Sequence, residues 1–292
     1  MNQKRSIIVL VLALGLLLTV PMAQANPLAI TTSTNAVDMV NALLWPGITA
    51  VSGSQSYVGA SAASGFFSGG SGILGFDTGI VLTTGNATLL PGPNTKSSSP
   101  HDLWVDNGAA GYAPLQAING GIPTINASVL SFSFVPPAAG VVSFRFIFGS
   151  EEYKENVFTY YNDAFACYLN GTNIALVPWP DGTSQPMTID TVNHIYNPYN
   201  AYTDNPMPSP PLNTRLDGLA GNSTPLYATG PVNAGQTNTI VVAIADSADG
   251  YGDSAVFLQM GSFQPVPLPA TLLLLGSGLL ALGGFSRKFR RG

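Results

Sequence analysis

One run in the middle of the chain limits the fold more than any other feature. Val142, Phe144, Phe146 and Phe148 alternate with Val141, Ser143, Arg145 and Ile147, and Gly140 and Gly149 bound the run. A period of two puts the three phenylalanines on one face of an extended strand, so they need a second layer to cover them. The segment Val129 to Phe134 reads as another strand, ended by Pro136-Pro137. Prolines cannot donate to a ladder. The two strands are expected to form a hairpin through residues 136–140. Further strands are expected at 164–169, 174–177, 187–192, 239–245 and 255–260.

Short strands separated by Gly, Pro and Asn turns, without alternating helices, predict an all-β fold, an antiparallel β-sandwich or jelly roll. One short helix is expected near the start, capped by Ser33 or Thr34, with Val37, Val40 and Leu44 on one face and Pro46-Gly47 as its stop. The Gly/Ser-rich stretch 59–75 reads as ordered loops, because Phe66, Phe67, Ile73, Leu74 and Phe76 interrupt it with material to bury. One β domain over residues 26–264 accommodates all of these elements.

The two ends follow different rules. Lys4 and Arg5 precede an apolar run from Ile7 to Val20, and Ala23-Gln24-Ala25 supplies a small-x-small site, so residues 1–25 read as a signal peptide for the translocon and signal peptidase. At the other end, Pro265 to Thr271 leads into an apolar stretch from Leu272 to Phe285, then Arg287, Lys288, Arg290 and Arg291. That pattern predicts a short transmembrane helix over about 270–286, with the basic cluster at 287–291 held on the cytoplasmic side. The segment between the ends keeps only Lys96, Arg145, Lys154 and Arg215 against all fifteen carboxylates, an excess of eleven negative charges. Such a surface repels phosphate backbones, which excludes nucleic acid as a partner.

Proline-rich residues, an apolar helix and a terminal basic cluster, in that order, resemble the PEP-CTERM sorting tail in its Val-Pro-Leu-Pro-Ala variant. Here that signal is Val266, Pro267, Leu268, Pro269 and Ala270, with Leu268 in place of the glutamate of the commonest form. The resemblance implies transient anchoring in the inner membrane and recognition by an exosortase-type enzyme. Removal of the helix near Pro269 would then pass the protein to the cell surface or to an exopolysaccharide matrix.

Chemistry, if present, rests on acidic residues. Glu151 and Glu152 follow the central strand, Asp163 opens the next, Asp181 sits in a turn, and Asp246, Asp249 and Asp253 share a glycine-bearing loop between the last two strands. Carboxylates about 4 Å apart repel by about 4 kcal/mol at an effective dielectric near 20, so a cluster is either spread in water or neutralised. Ca²⁺ is the expected cation, with Glu151, Glu152, Asp163, Asp246, Asp249 and Asp253 as oxygen donors. Asp and Gly are also ordinary turn residues, and the EF-hand spacing is absent. The enzymatic alternative is a glycan hydrolase using Glu152 and Asp163. The adhesin alternative uses Tyr196, Tyr199 and Tyr202, on a Pro/Asn-rich loop, to stack on sugars; the same rings could instead pin that loop to the sheet. Cys167, the only cysteine, reads as a core residue with neither disulfide nor catalytic role.

Five segments in order resemble the choice-of-anchor L domain: Gly79 to Asn86, Phe148 to Tyr153, Asn162 to Gly171, Asn173 to Pro178, and Ile244 to Asp246 continuing through Asp253 to Leu258. The resemblance implies an extracellular bacterial domain joined to one of several C-terminal sorting tails, and it defines no molecular activity. The expectation is therefore an exported, non-catalytic surface or matrix protein.

Overall fold

A computed structural model describes residues 27–95, 102–138, 140–153, 156–179, 181–193, 213–221 and 225–266. The predicted signal peptide, the C-terminal helix and the tyrosine loop lie outside the described residues. Among those described, no helix is long and apolar enough to cross a membrane.

In chain order the strands are β1 (Ala29–Thr32), β2 (Ser56–Val58), β3 (Ser64–Ser68), β4 (Gly79–Thr83), β5 (Thr124–Phe134), β6 (Gly140–Ser150), β7 (Ala164–Leu169) and β8 (Thr172–Asn173). There follow β9 (Leu176–Pro178), β10 (Ser184–Thr188), β11 (Gly218–Ala220), β12 (Leu226–Val232), β13 (Asn238–Ser247), β14 (Ser254–Gln259) and β15 (Gln264–Val266). The helices are α1 (Ala36–Leu43), α2 (Ser71–Leu74), α3 (Ala113–Ile118) and α4 (Ile189–Asn193). One sheet runs β1-β3-β4-β14-β6-β11, with β12 and β15 also paired to β6; the other runs β2-β5-β13-β7-β10-β9, with β8 on β7. All these pairings are antiparallel.

The alternation of β6 explains its central place. Phe144, Phe146 and Phe148 enter the main core, where Phe132, Phe134, Phe165, Ile240, Val242, Ile244, Val256 and Leu258 meet them from both sheets. On the opposite face Ile147 joins a second cluster with Phe67, Val81 and Phe257. Arg145 lies over the Phe76 ring at 5.1 Å and donates through Nη1 to the Gly75 carbonyl at 3.2 Å. A third cluster sets Leu115 of α3 on an alanine-lined outer face formed by Ala127, Ala164, Ala166, Ala243 and Ala245.

The expected hairpin between β5 and β6 does not form, since the two strands belong to opposite sheets. Their phenylalanine rows face one another across the core instead of lying side by side. Val135 to Ala138 thus arch from one layer to the other, with Pro136 buried and its carbonyl accepting from Gly235 N–H at 3.1 Å. The strand expected at 187–192 stops at Thr188, and Ile189–Asn193 turns into α4. Thr191 causes the switch, because its hydroxyl accepts from Thr188 N–H at 2.9 Å and can donate to the Pro186 carbonyl at 2.7 Å.

Helix α1 is capped by Asn35, whose Oδ1 accepts from the N–H groups of Val37 and Asp38. Its buried face is Met39, Val40 and Leu43, while Val37 is exposed and Leu44 leaves the helix to bridge Phe263. The expected loop at 59–75 contains β3 and α2, which bury Phe67 and Leu74.

Phe263 closes the core just before β15, with its ring edge-on to Phe132 at 5.5 Å and to Phe134 at 5.0 Å. Phe263→Ala is expected to cost about 3–5 kcal/mol in chemical denaturation. Tyr227→Ala, at a half-exposed strand position, is expected to stay within about 0.5 kcal/mol. Similar losses for both variants would contradict this account of the core.

Candidate functional site

Both sheets contribute strand ends to one end of the sandwich. Ser254 of β14 pairs with Ser150 of β6, Gly218 of β11 also reaches Ser150, Ala245 of β13 pairs with Ala164 of β7, and Ser247 pairs with Thr124 of β5. The six predicted donors sit at or just beyond these ends, and all except Asp249 are buried: Glu151, Glu152, Asp163, Asp246 and Asp253; Asp181 is exposed in its turn, where its Oδ1 accepts from Thr183 N–H at 2.8 Å.

Asp163 joins the sheets. Its Oδ1 accepts from Ser247 N–H at 2.9 Å, and its Oδ2 accepts from the Ser254 hydroxyl at 2.6 Å. Ser254 Oγ also lies 2.9 Å from Ser150 Oγ. Asp246 feels the charge of Asp163, a repulsion that a proton or a counter-charge would relieve. Asp246 Oδ2 accepts from Asn126 Nδ2 at 3.0 Å. Asn126 stands at φ 54 where β5 bulges against β13, and this bulge aims its amide at the acid. Asp253 Oδ1 accepts from Val105 N–H at 3.1 Å, whereas Asp253 Oδ2 and Asp246 Oδ1 are buried with no hydrogen-bond partner.

Glu151 and Glu152 diverge, as neighbours on an extended segment must. Glu151 Oε2 accepts from Asp102 N–H at 2.8 Å and Leu103 N–H at 3.4 Å, and it feels the charge of Asp217. Glu152 Oε1 packs where a Cβ on Gly252 would lie 2.4 Å away. Gly85 is required for a like reason, since a Cβ there would sit 1.8 Å from Asp253 Oδ2. Asp249 stays at the rim, where its Oδ1 accepts from Tyr251 N–H at 3.2 Å. The six predicted donors therefore do not converge on one point, and among the described residues no three His, Cys, Asp or Glu side chains are grouped to hold a metal.

Burial dominates the electrostatics. It raises Glu151 to about 9, with Asp217 adding to the rise and the N–H groups of Asp102 and Leu103 opposing it. Burial likewise raises Asp253 to about 7, against the N–H of Val105. Asp163 and Asp246 are pushed upward by burial and by neighbouring carboxylates. The Cys167 thiol is also pushed up by burial, which leaves it an unreactive core group.

Sequence reasoning missed Asp217, which is buried and accepts from Asn94 Nδ2 at 2.6 Å. It also missed the hydrogen-bonding partner Asn126, whereas Ser150, Ser254 and Gly85 fall within the resembling segments Phe148 to Tyr153, Asp253 to Leu258 and Gly79 to Asn86. A concavity of about 490 Å³ is lined by Val58, Gly59, Ala60, residues 107–112, Ala127 and Val129.

The family profile described as the Choice-of-anchor L domain matches residues 28–264. The chain belongs to the choice-of-anchor L domain family. A second profile, the PEP-CTERM protein-sorting motif, matches residues 265–291, directly after the choice-of-anchor L domain. No curated protein matches the chain. Among solved structures, one described as a family 35 carbohydrate binding module from an environmental isolate is 15% identical and covers 60% of this chain and 86% of its own, with a TM-score of 0.23.

A pH dependence follows for the metal-free choice-of-anchor L domain. Unfolded carboxyls release their protons near pH 4, whereas native Asp253 and Glu151 hold theirs to about 7 and about 9. The native state thus binds more protons between those limits, so stability falls as pH rises, by up to about 1.4 kcal/mol per unit per carboxyl. Calorimetry in chelator should show the melting temperature dropping from pH 5 to pH 8, with a shallower slope in Asp253→Asn. A melting temperature that climbs over this range would refute the assignment.

Proposed function

We propose that this protein is an exported, non-catalytic component of the bacterial cell surface or its exopolysaccharide matrix, released from a transient inner-membrane anchor by an exosortase-type enzyme. The observation that carries this reading is the PEP-CTERM motif at 265–291, placed directly after a domain whose last strand ends at Val266. Phe263 is buried and β15 is hydrogen-bonded to β6, so a cut near Pro269 spares every core residue among the described residues. The non-catalytic clause draws support from Glu152 and Asp163, which are both buried, with Asp163 engaged in hydrogen bonds to two strands. A hydrolytic pair must reach a glycan.

The counter-charge at the acidic end is proposed to be Ca²⁺, a cation that accepts mixed oxygen ligands in loose geometry. Asp246 Oδ1 and Asp253 Oδ2 are buried carboxylate oxygens without hydrogen bonds, which favours a ligand there. With no three-carboxylate grouping among the described residues, carbonyl, hydroxyl and water oxygens would complete such a shell.

Two measurements test these statements separately. Replacing Pro267 and Pro269 with alanine should leave unprocessed precursor in the membrane fraction, whereas mass spectrometry of the wild-type extracellular form should place its C-terminus near residue 269. Equal release of both proteins would remove the sorting clause. Millimolar Ca²⁺ should raise the melting temperature by several degrees at pH 8 and by less at pH 5, where protons already neutralise the acids. An identical melting curve with Ca²⁺ or chelator at pH 8 would remove the metal clause alone.

A further inference from the structure

Two large aromatic side chains stand exposed beside the buried acids. Trp104 is 43% exposed and Tyr251 is 46% exposed, and their ring centroids are 4.7 Å apart at 70°. They belong to loops far apart in sequence, and both loops are fixed from below. Leu103, fully buried, donates its N–H to Glu151 Oε2, and its carbonyl accepts from Asp253 N–H at 3.4 Å. Val105 donates to Asp253 Oδ1. Trp104 is thus the outward residue of an extended segment whose neighbours on both sides are tied to the acidic floor. Tyr251 is held by the turn in which its N–H donates to Asp249 Oδ1. Asp106, exposed and two residues beyond Trp104, has its carboxyl group against Gly250, next to Tyr251.

We infer that Trp104, Tyr251 and Asp106 form a binding site for a neutral polysaccharide. An indole or phenol ring offers a flat apolar face to the C–H side of a pyranose, and rings locked in advance lose little entropy on binding. The flanking carboxylates of Asp106 and Asp249 accept hydrogen bonds from sugar hydroxyls and repel uronates, which selects an uncharged glycan. A cation cage is the less favoured geometry. With the rings 4.7 Å apart and edge-on, one ring covers part of the other's face, whereas two faces enclosing an ammonium must stand open to it.

The site also lies at the opposite end of β6 from β15, where the sorting motif begins. Val266 pairs with Val141 at the start of β6, whereas Glu151, which positions Trp104, follows the far end of that strand. The inference does not depend on how, or whether, the tail is processed.

Native affinity electrophoresis of the full chain in mild detergent tests it, with dextran, laminarin, galactomannan or alginate cast in the gel. At least one neutral polymer should retard the protein and alginate should not. Trp104→Ala and Tyr251→Ala should each weaken retardation roughly tenfold, Asp106→Ala several-fold, and Trp45→Ala, an exposed tryptophan beyond α1, not at all. Unchanged melting temperatures in the variants exclude unfolding as the cause of any loss. The inference is overturned if no neutral polymer retards the chain, if Trp104→Ala binds as wild type, if alginate retards it equally, or if millimolar choline displaces the bound polymer.

Discussion

The carboxylate of Asp163 is the contact on which the end of this sandwich depends. It accepts from a backbone N–H of the second sheet at Ser247 and from a hydroxyl of the first sheet at Ser254. Hydrophobic contact between layers is non-directional and tolerates sliding, but two short hydrogen bonds to one buried acid fix how far β14 sits along β13. The register of both sheets at this end follows, because Ser254 is aligned with Ser150 and Ala164 with Ala245. Asp246 and Asp253 share the same confined volume, where burial pushes both carboxyls above their ordinary range and the charges of Asp163 and Asp253 push Asp246 further. Gly85 and Gly252 are the steric side of this arrangement, since each leaves room for one carboxylate that a methyl group would displace.

Much of the fold was legible because periodicity reports burial directly. Strand β7 matches its expected bounds, and β13, β14 and the phenylalanine face of β6 were found within two residues. What failed was pairing. Alternation says which residues face a core, but a phenylalanine row on each of two consecutive strands fits a hairpin and a face-to-face pair equally well, and only the course of residues 135–138 decides between them. Strand β12 was missed although its residues alternate cleanly between buried and exposed. Thr229, Gly230 and Pro231 look like a turn, yet Gly230 lies where a Cβ would meet Ile174 and Leu169 at 2.8 Å, so its lack of a side chain is a packing requirement.

The acidic end was legible in part. Clustering of carboxylates at strand ends picked out the end of the molecule where loops from both sheets gather. Convergence could not be read, because the side chains of Glu151 and Glu152 turn to different neighbours and Asp249 stays at the rim. Trp104 and Tyr251 escaped notice for another reason. They are isolated in sequence, and the contact between them exists only because Asp253 and Glu151 draw the 102–105 segment onto the loop that follows β13.

The polarity of β6 then links the two halves of the molecule. Its first residues pair with β15, where the domain passes into the sorting motif, and its last residue lies within the hydrogen-bonded acidic end. Eleven residues at about 3.3 Å each separate these points by roughly 35 Å. The acidic, aromatic-bearing end of the domain therefore lies at the far end of β6 from the residues that lead into the sorting motif. One strand both spans the core and sets that separation. The long uninterrupted alternation of β6 is thus what lets a single strand do both.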